Sequence, residues 1–121
     1  MRACALSVTL FLAAVSGLAC IGDAGRVQRV ALVNSTLSPV LVYQDSGDLG
    51  KITRGPDSPL PPGQTRETGW FVPPGTTKTL TVKAFDDRGV LIFCKTFSFL
   101  YEDAARTVLR VEIVKGEVSC H

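Results

Sequence analysis

The chain is poor in the side chains that most catalytic and metal centres require. Its 121 residues include a single histidine, His121 at the last position, a single tryptophan and a single methionine. Zinc sites draw on three or four nitrogen, sulfur or carboxylate ligands, and only Cys120 stands beside His121. No metal and no cofactor are therefore expected. Hydrolysis by a serine or cysteine with a histidine base meets the same shortage, and the absence of any C-x-x-C spacing argues against a redox-active pair. Glycosidase chemistry needs only two carboxylates, and Asp86-Asp87 is the visible pair, but Arg88-Gly89 follows it and the four residues read as a hairpin turn. Charge of one sign is lacking too. The 13 Lys and Arg are interleaved with 11 Asp and Glu for a net charge of +2, whereas a nucleic-acid partner requires a concentrated basic face. That partner class is not expected.

Charge is scarcest at the start. Residues 1–22 carry one charged side chain, Arg2, before a neutral stretch that runs through residue 22. A short basic beginning, the apolar run ALSVTLFLAA at residues 5–14 and then Gly17-Leu18-Ala19 have the three parts of an export signal, with small residues three and one positions before a cut after Ala19. We expect residues 1–19 to be a signal peptide, residues 20–26 (CIGDAGR) a short polar tether, and residues 27–121 the folded domain. The neutral stretch is also long enough to remain as an uncleaved membrane anchor, although Ser7, Thr9, Ser16 and Gly17 weaken its apolar character. Removal of residues 1–19 takes away one arginine and no acid, so the net charge falls from +2 to +1.

Leu18-Ala19-Cys20, behind its apolar run, resembles the lipobox of bacterial lipoproteins, with Gly17 in the place where that family favours leucine. The resemblance implies that Cys20 is diacylated on sulfur, becomes the new N-terminus and holds the protein to the membrane of the cell envelope. Two acyl chains meet the requirement for stable anchoring, since each buried methylene contributes about 0.8 kcal/mol. Cysteine parity bears on the same point. Cys4 leaves with the signal, and Cys20, Cys94 and Cys120 remain, an odd number for an exported protein. If Cys20 is acylated, the one pairing left is Cys94 with Cys120, and an oxidising compartment permits it. Cleavage by the ordinary signal peptidase would instead leave Cys20 as a spare thiol in a secreted or periplasmic protein, and Cys94 could be a buried free thiol.

The remainder alternates short strand patterns with turn chemistry. VQRVALVN at residues 27–34 and PVLVYQ at 39–44 read as strands, DSGDLG at 45–50 as a turn, and residues 51–54 as a brief strand. LPPGQTR at 60–66 and VPPGTTK at 72–78 place Pro-Gly where a type II turn wants φ near −60° followed by positive φ, and they bracket a strand at 65–71. In TKTLTVKAFD, residues 77–86, Leu80, Val82 and Ala84 fall on one face and Thr79, Thr81 and Lys83 on the other. VLIFCKTFSF at 90–99 starts apolar on both faces, which suits a central strand. Residues 100–106 are a connection or one helical turn, and TVLRVEIVK at 107–115 alternates again until Gly116. About seven strands and no sustained helix predict an all-β antiparallel β-sandwich, with an immunoglobulin-like order among the possible topologies.

The segments LVNSTLSPVLVY, PPGQT, AFDDRGVLIFCKTFSF and RVEIVKGEVSC also resemble small exported bacterial domains of unassigned function, a likeness that brings no active site. In a bacterial chain the sequon Asn34-Ser35-Thr36 is a strand-ending turn. Large aromatics are the remaining binding candidates: Trp70, Phe71 and Tyr43. Neighbours in GWFV point to opposite faces, so one of Trp70 and Phe71 belongs to the core. The expected function is a membrane-tethered, non-enzymatic structural or interaction module with an unidentified protein or glycan partner. The alternative is an extracytoplasmic domain that binds a sugar or peptide.

Overall fold

The computed structural model describes residues 25–46, 52–55 and 58–120. The proposed signal at 1–19, Cys20 with most of the tether, the turn residues 47–50 and His121 lie outside the described residues. Among the described residues eight strands and one helical turn follow in order: β1 (Arg26–Asn34), β2 (Leu41–Ser46), β3 (Ile52–Arg54), β4 (Thr65–Val72), β5 (Thr77–Phe85), β6 (Leu91–Leu100), α1 (Tyr101–Ala104), β7 (Val108–Ile113) and the two-residue β8 (Glu117–Val118). They form a β-sandwich, with one sheet of order β4-β1-β7 and one of order β3-β2-β5-β6-β8. β1 starts at Arg26, which pairs with Val72.

Most neighbours are antiparallel, but β1 runs parallel to β7 and β6 parallel to β8. The immunoglobulin order is not adopted. In that fold the first strand lies beside the second, whereas here β1 sits between β4 and β7. β8 falls in the segment EVSCH, where two residues carry no readable period, and it exists because the chain after Gly116 returns along β6. The Gly116 and Ser119 amides donate to the Ile92 and Cys94 carbonyls, each at 2.8 Å.

The turns follow their local chemistry. Gly63 and Gly75 take φ of 74° and 71°, and the Gln64 and Thr76 amides donate back to the Pro61 and Pro73 carbonyls. At the β5–β6 hairpin Asp86 Oδ1 accepts from the amides of Arg88 and Val90, both at 2.9 Å. Those bonds, Val90 foremost, hold its carboxyl below the usual range for an aspartate. Asp86-Asp87 is therefore turn-forming. Asn34 is structural as well. Its side chain is fully buried, with Nδ2 donating to the Ser38 and Leu60 carbonyls and Oδ1 accepting from the Thr36 amide and hydroxyl.

The period-2 faces predicted for β5 and β7 meet in one core. Val30, Leu32, Trp70, Val72, Val111 and Ile113 from the three-stranded sheet pack on Val42, Leu80, Val82, Ala84, Phe93 and Phe99 from the other. Val40 with Leu60 and Ala104 are also part of this buried cluster. A polar clamp joins the sheets within it: Gln44 Oε1 on β2 accepts from Trp70 Nε1 and Thr68 Oγ1 on β4, both at 3.0 Å. The strand directions give the sandwich two unlike ends. One carries Gly25, the Pro73–Thr76 turn and α1. The other carries residues 35–39, the Asp86–Gly89 turn and Lys115.

Candidate functional site

The three aromatics singled out in the sequence are not brought together. Register decides between Trp70 and Phe71: Gln28 pairs with Trp70 and Val27 with Phe71. Gln28 faces the core, so Trp70 does as well, at 1% exposure, and its N–H is engaged by Gln44. Trp70 is thus a core residue and offers no binding surface. Phe71 emerges on the outer face of the three-stranded sheet with half of its surface exposed, and Tyr43 lies on the outer face of the other sheet. Of the three binding candidates Trp70 is therefore withdrawn, because its side chain is in the core, and Phe71 and Tyr43 lie on opposite outer faces.

Tyr43 instead acquires partners from β5. Pairing of Leu41 with Phe85 and of Tyr43 with Lys83 places these side chains on one face. The Tyr43 and Phe85 rings meet edge to face, with centroids 5.5 Å apart and planes at 84°, a favoured arrangement for an aromatic pair. Asp45 and Lys83 stand 4.0 Å apart beside them. The result is a shallow depression of about 410 Å³ lined by Leu41, Tyr43, Asp45, Lys83, Phe85 and Gly89. An aromatic edge next to a carboxylate and an ammonium can stack on the apolar face of a sugar or a peptide side chain while hydrogen-bonding its polar rim. Phe85, Lys83 and Asp45 were not singled out in the sequence, because only knowledge of which strand lies beside β2 would have joined them to Tyr43.

No family model, curated protein or solved structure matches the chain.

Two other concavities occupy the ends. A depression of about 430 Å³ near the Asp86–Gly89 turn is bordered by Ser35, Leu37, Asp87, Arg88 and Lys115. Its charges have both signs, and Asp86 is committed to the turn. A cavity of about 370 Å³ at the opposite end is lined by Phe99, Leu100, Val108 and Leu109 with Gln28. Gln28 Nε2 donates to the Arg29 and Thr107 carbonyls, while its buried Oε1 has no protein partner.

The two described cysteines are joined. Cys94 and Cys120 form a disulfide with Cα atoms 5.4 Å apart, within the usual span for such a bridge. Cys94 is fully buried, and the bridge fastens the segment after β8 onto β6. Among the described residues no group of three or more His, Cys, Asp or Glu is placed to hold a metal ion. Several carboxylates have basic partners: Glu67 meets Arg29, Glu112 meets Arg110 and Glu117 meets Lys95. Among the described residues no helix is long and apolar enough to cross a membrane.

Proposed function

We propose that this chain is a lipid-anchored module of the cell envelope. Residues 1–19 are its export signal, Cys20 is its acylated N-terminus, and the β-sandwich is a non-enzymatic structural or interaction domain held at the membrane surface. The Cys94–Cys120 bridge carries the reading. It uses both cysteines of the domain internally, so once Cys4 departs with the signal Cys20 has no partner in its own chain. A disulfide also belongs to an oxidising compartment, and the small-residue segment before Cys20 is of the kind that a lipoprotein peptidase cuts. The ion pairs of Glu67, Glu112 and Glu117 and the turn bonds of Asp86 favour structural roles for those acids.

The test is mass spectrometry of the N-terminal peptide from membrane-extracted protein. Cys20 should be the first residue and should carry the mass of a diacylglycerol. An unmodified Cys20, or a chain that starts later, refutes the anchor.

The depression at Tyr43 supports a second reading, in which the domain takes a sugar or peptide ligand on the outer face of the five-stranded sheet. On that reading, arrays of glycans or peptides should contain ligands that lose affinity on Tyr43→Ala and keep it on Phe71→Ala.

A further inference from the structure

We propose that the end of the sandwich where β1 begins is a membrane-docking surface, so that the domain stands on the bilayer with its Asp86–Gly89 end directed away from it. This inference rests on acylation of Cys20. Five residue steps separate Cys20 from Gly25, and a fully extended chain covers at most about 3.6 Å per step, or about 18 Å. β1 has nine residues and at about 3.4 Å each is about 30 Å long. A leash shorter than the strand keeps the Gly25 end beside the lipid headgroups and prevents the far end from replacing it.

The side chains at that end suit such a position. Val27, Phe71 and Val108 are 53%, 50% and 47% exposed. They share the outer face of the three-stranded sheet, where Val27 is paired with Phe71 and Val108 stands opposite Arg29, two residues along β1 from Val27. Leu100, 46% exposed, lies on the outer face of the other sheet, opposite Thr77. Apolar groups on both faces of one end favour an upright stance over lying on a single sheet. The charges nearby nearly cancel. Arg26, Lys78 and Arg106 are set against Glu102 and Asp103, and the Arg26 guanidinium is engaged with the Tyr101 and Glu102 carbonyls and lies over the Tyr101 ring. Docking is accordingly apolar, without the polybasic patch that draws proteins to anionic headgroups. Among the described residues the opposite end presents two large apolar side chains, Leu37 at 98% and Val90 at 53% exposure, in segments that also carry Asp87, Arg88 and Lys115, and the leash from Cys20 does not reach them.

Tryptophan reporters in the full, acylated chain test the proposal. F71W, V108W and L37W variants are reconstituted into phosphatidylcholine vesicles with and without bromine on the acyl chains, and the wild type supplies the emission of buried Trp70 as baseline. Side chains about 5–10 Å deep in the interface should lose added emission to brominated lipid. We expect that loss for F71W and V108W, no loss for L37W, and no change on raising the salt concentration. V108W gives an independent reading should F71W perturb the β1–β4 pairing. If both are quenched no more than L37W in protein whose Cys20 mass includes the acyl chains, docking is refuted and the anchor stands. Quenching that disappears in high salt refutes an apolar contact. An unmodified Cys20 removes the anchor and the docking proposal together.

Discussion

Removing the Cys94–Cys120 bridge should cost the domain a large part of its stability, and Cys120→Ala is the informative way to remove it. Cys94 is fully buried, so its replacement would add a cavity to the loss of the cross-link, whereas Cys120 is only partly buried and its truncation leaves the core intact. The bridged residues are 26 apart in sequence. For a loop of that length the chain-entropy relation gives about 3.5 kcal/mol at room temperature. With an unfolding entropy of about 2.1 cal/mol/K per residue over about 100 residues, that loss lowers the melting temperature by about 17 °C. The assay is thermal unfolding of the full chain by far-UV circular dichroism, comparing the wild type, the variant and the wild type in reductant. The last two should melt at nearly the same lowered temperature. A drop below about 5 °C in both would refute the reasoning. It would mean that the Gly116 and Ser119 amides on β6 hold the tail without help and that the bridge restrains little of the unfolded chain.

Two further outcomes follow from the polar groups described above. Gln44→Leu takes away the acceptor shared by Trp70 Nε1 and Thr68 Oγ1 and should destabilise the domain by about 2 kcal/mol, read from denaturant midpoints; an unchanged midpoint would show that the clamp contributes nothing net. The Asp86 carboxyl is held below its ordinary value by the Val90 and Arg88 amides, so its contribution is present above the unfolded-state value of 3.8 and is lost as pH falls through the lower folded value. Asp86→Asn should therefore be less stable than the wild type at neutral pH and should flatten the decline between pH 6 and pH 2, and parallel pH profiles for the two proteins would refute this.

The strands that alternate were legible because one face of each is buried. Leu80, Val82 and Ala84 on β5, and Val111 and Ile113 on β7, are in the core as their spacing required. The Pro-Gly turns were legible for a local reason as well, since positive φ at Gly63 and Gly75 is set by the turn alone. What could not be read depends on partners distant in sequence. β1 has apolar residues at both parities, Val30 and Leu32 inward and Ala31 and Val33 outward, which suits an inner strand, but its own pattern does not announce that its two neighbours are β4 and β7. The choice between Trp70 and Phe71 hung on that same register. At the candidate site Tyr43 could be noticed, but its edge contact with Phe85 and the nearby Asp45–Lys83 pair required the β2–β5 alignment. Buried Gln28, Gln44 and Asn34 were likewise hidden, because their burial is tolerated only through partners that no short stretch of sequence displays.

The parallel union of β1 with β7 governs the timing of assembly. Arg29 aligns with Val108, so the earliest strand of the domain to leave a ribosome or a translocation pore lacks one of its flanks until almost the last strand has followed. Such a remote closure belongs to slowly maturing topologies. A polypeptide wired in this manner locks its first sheet only after nearly all of the domain has been made.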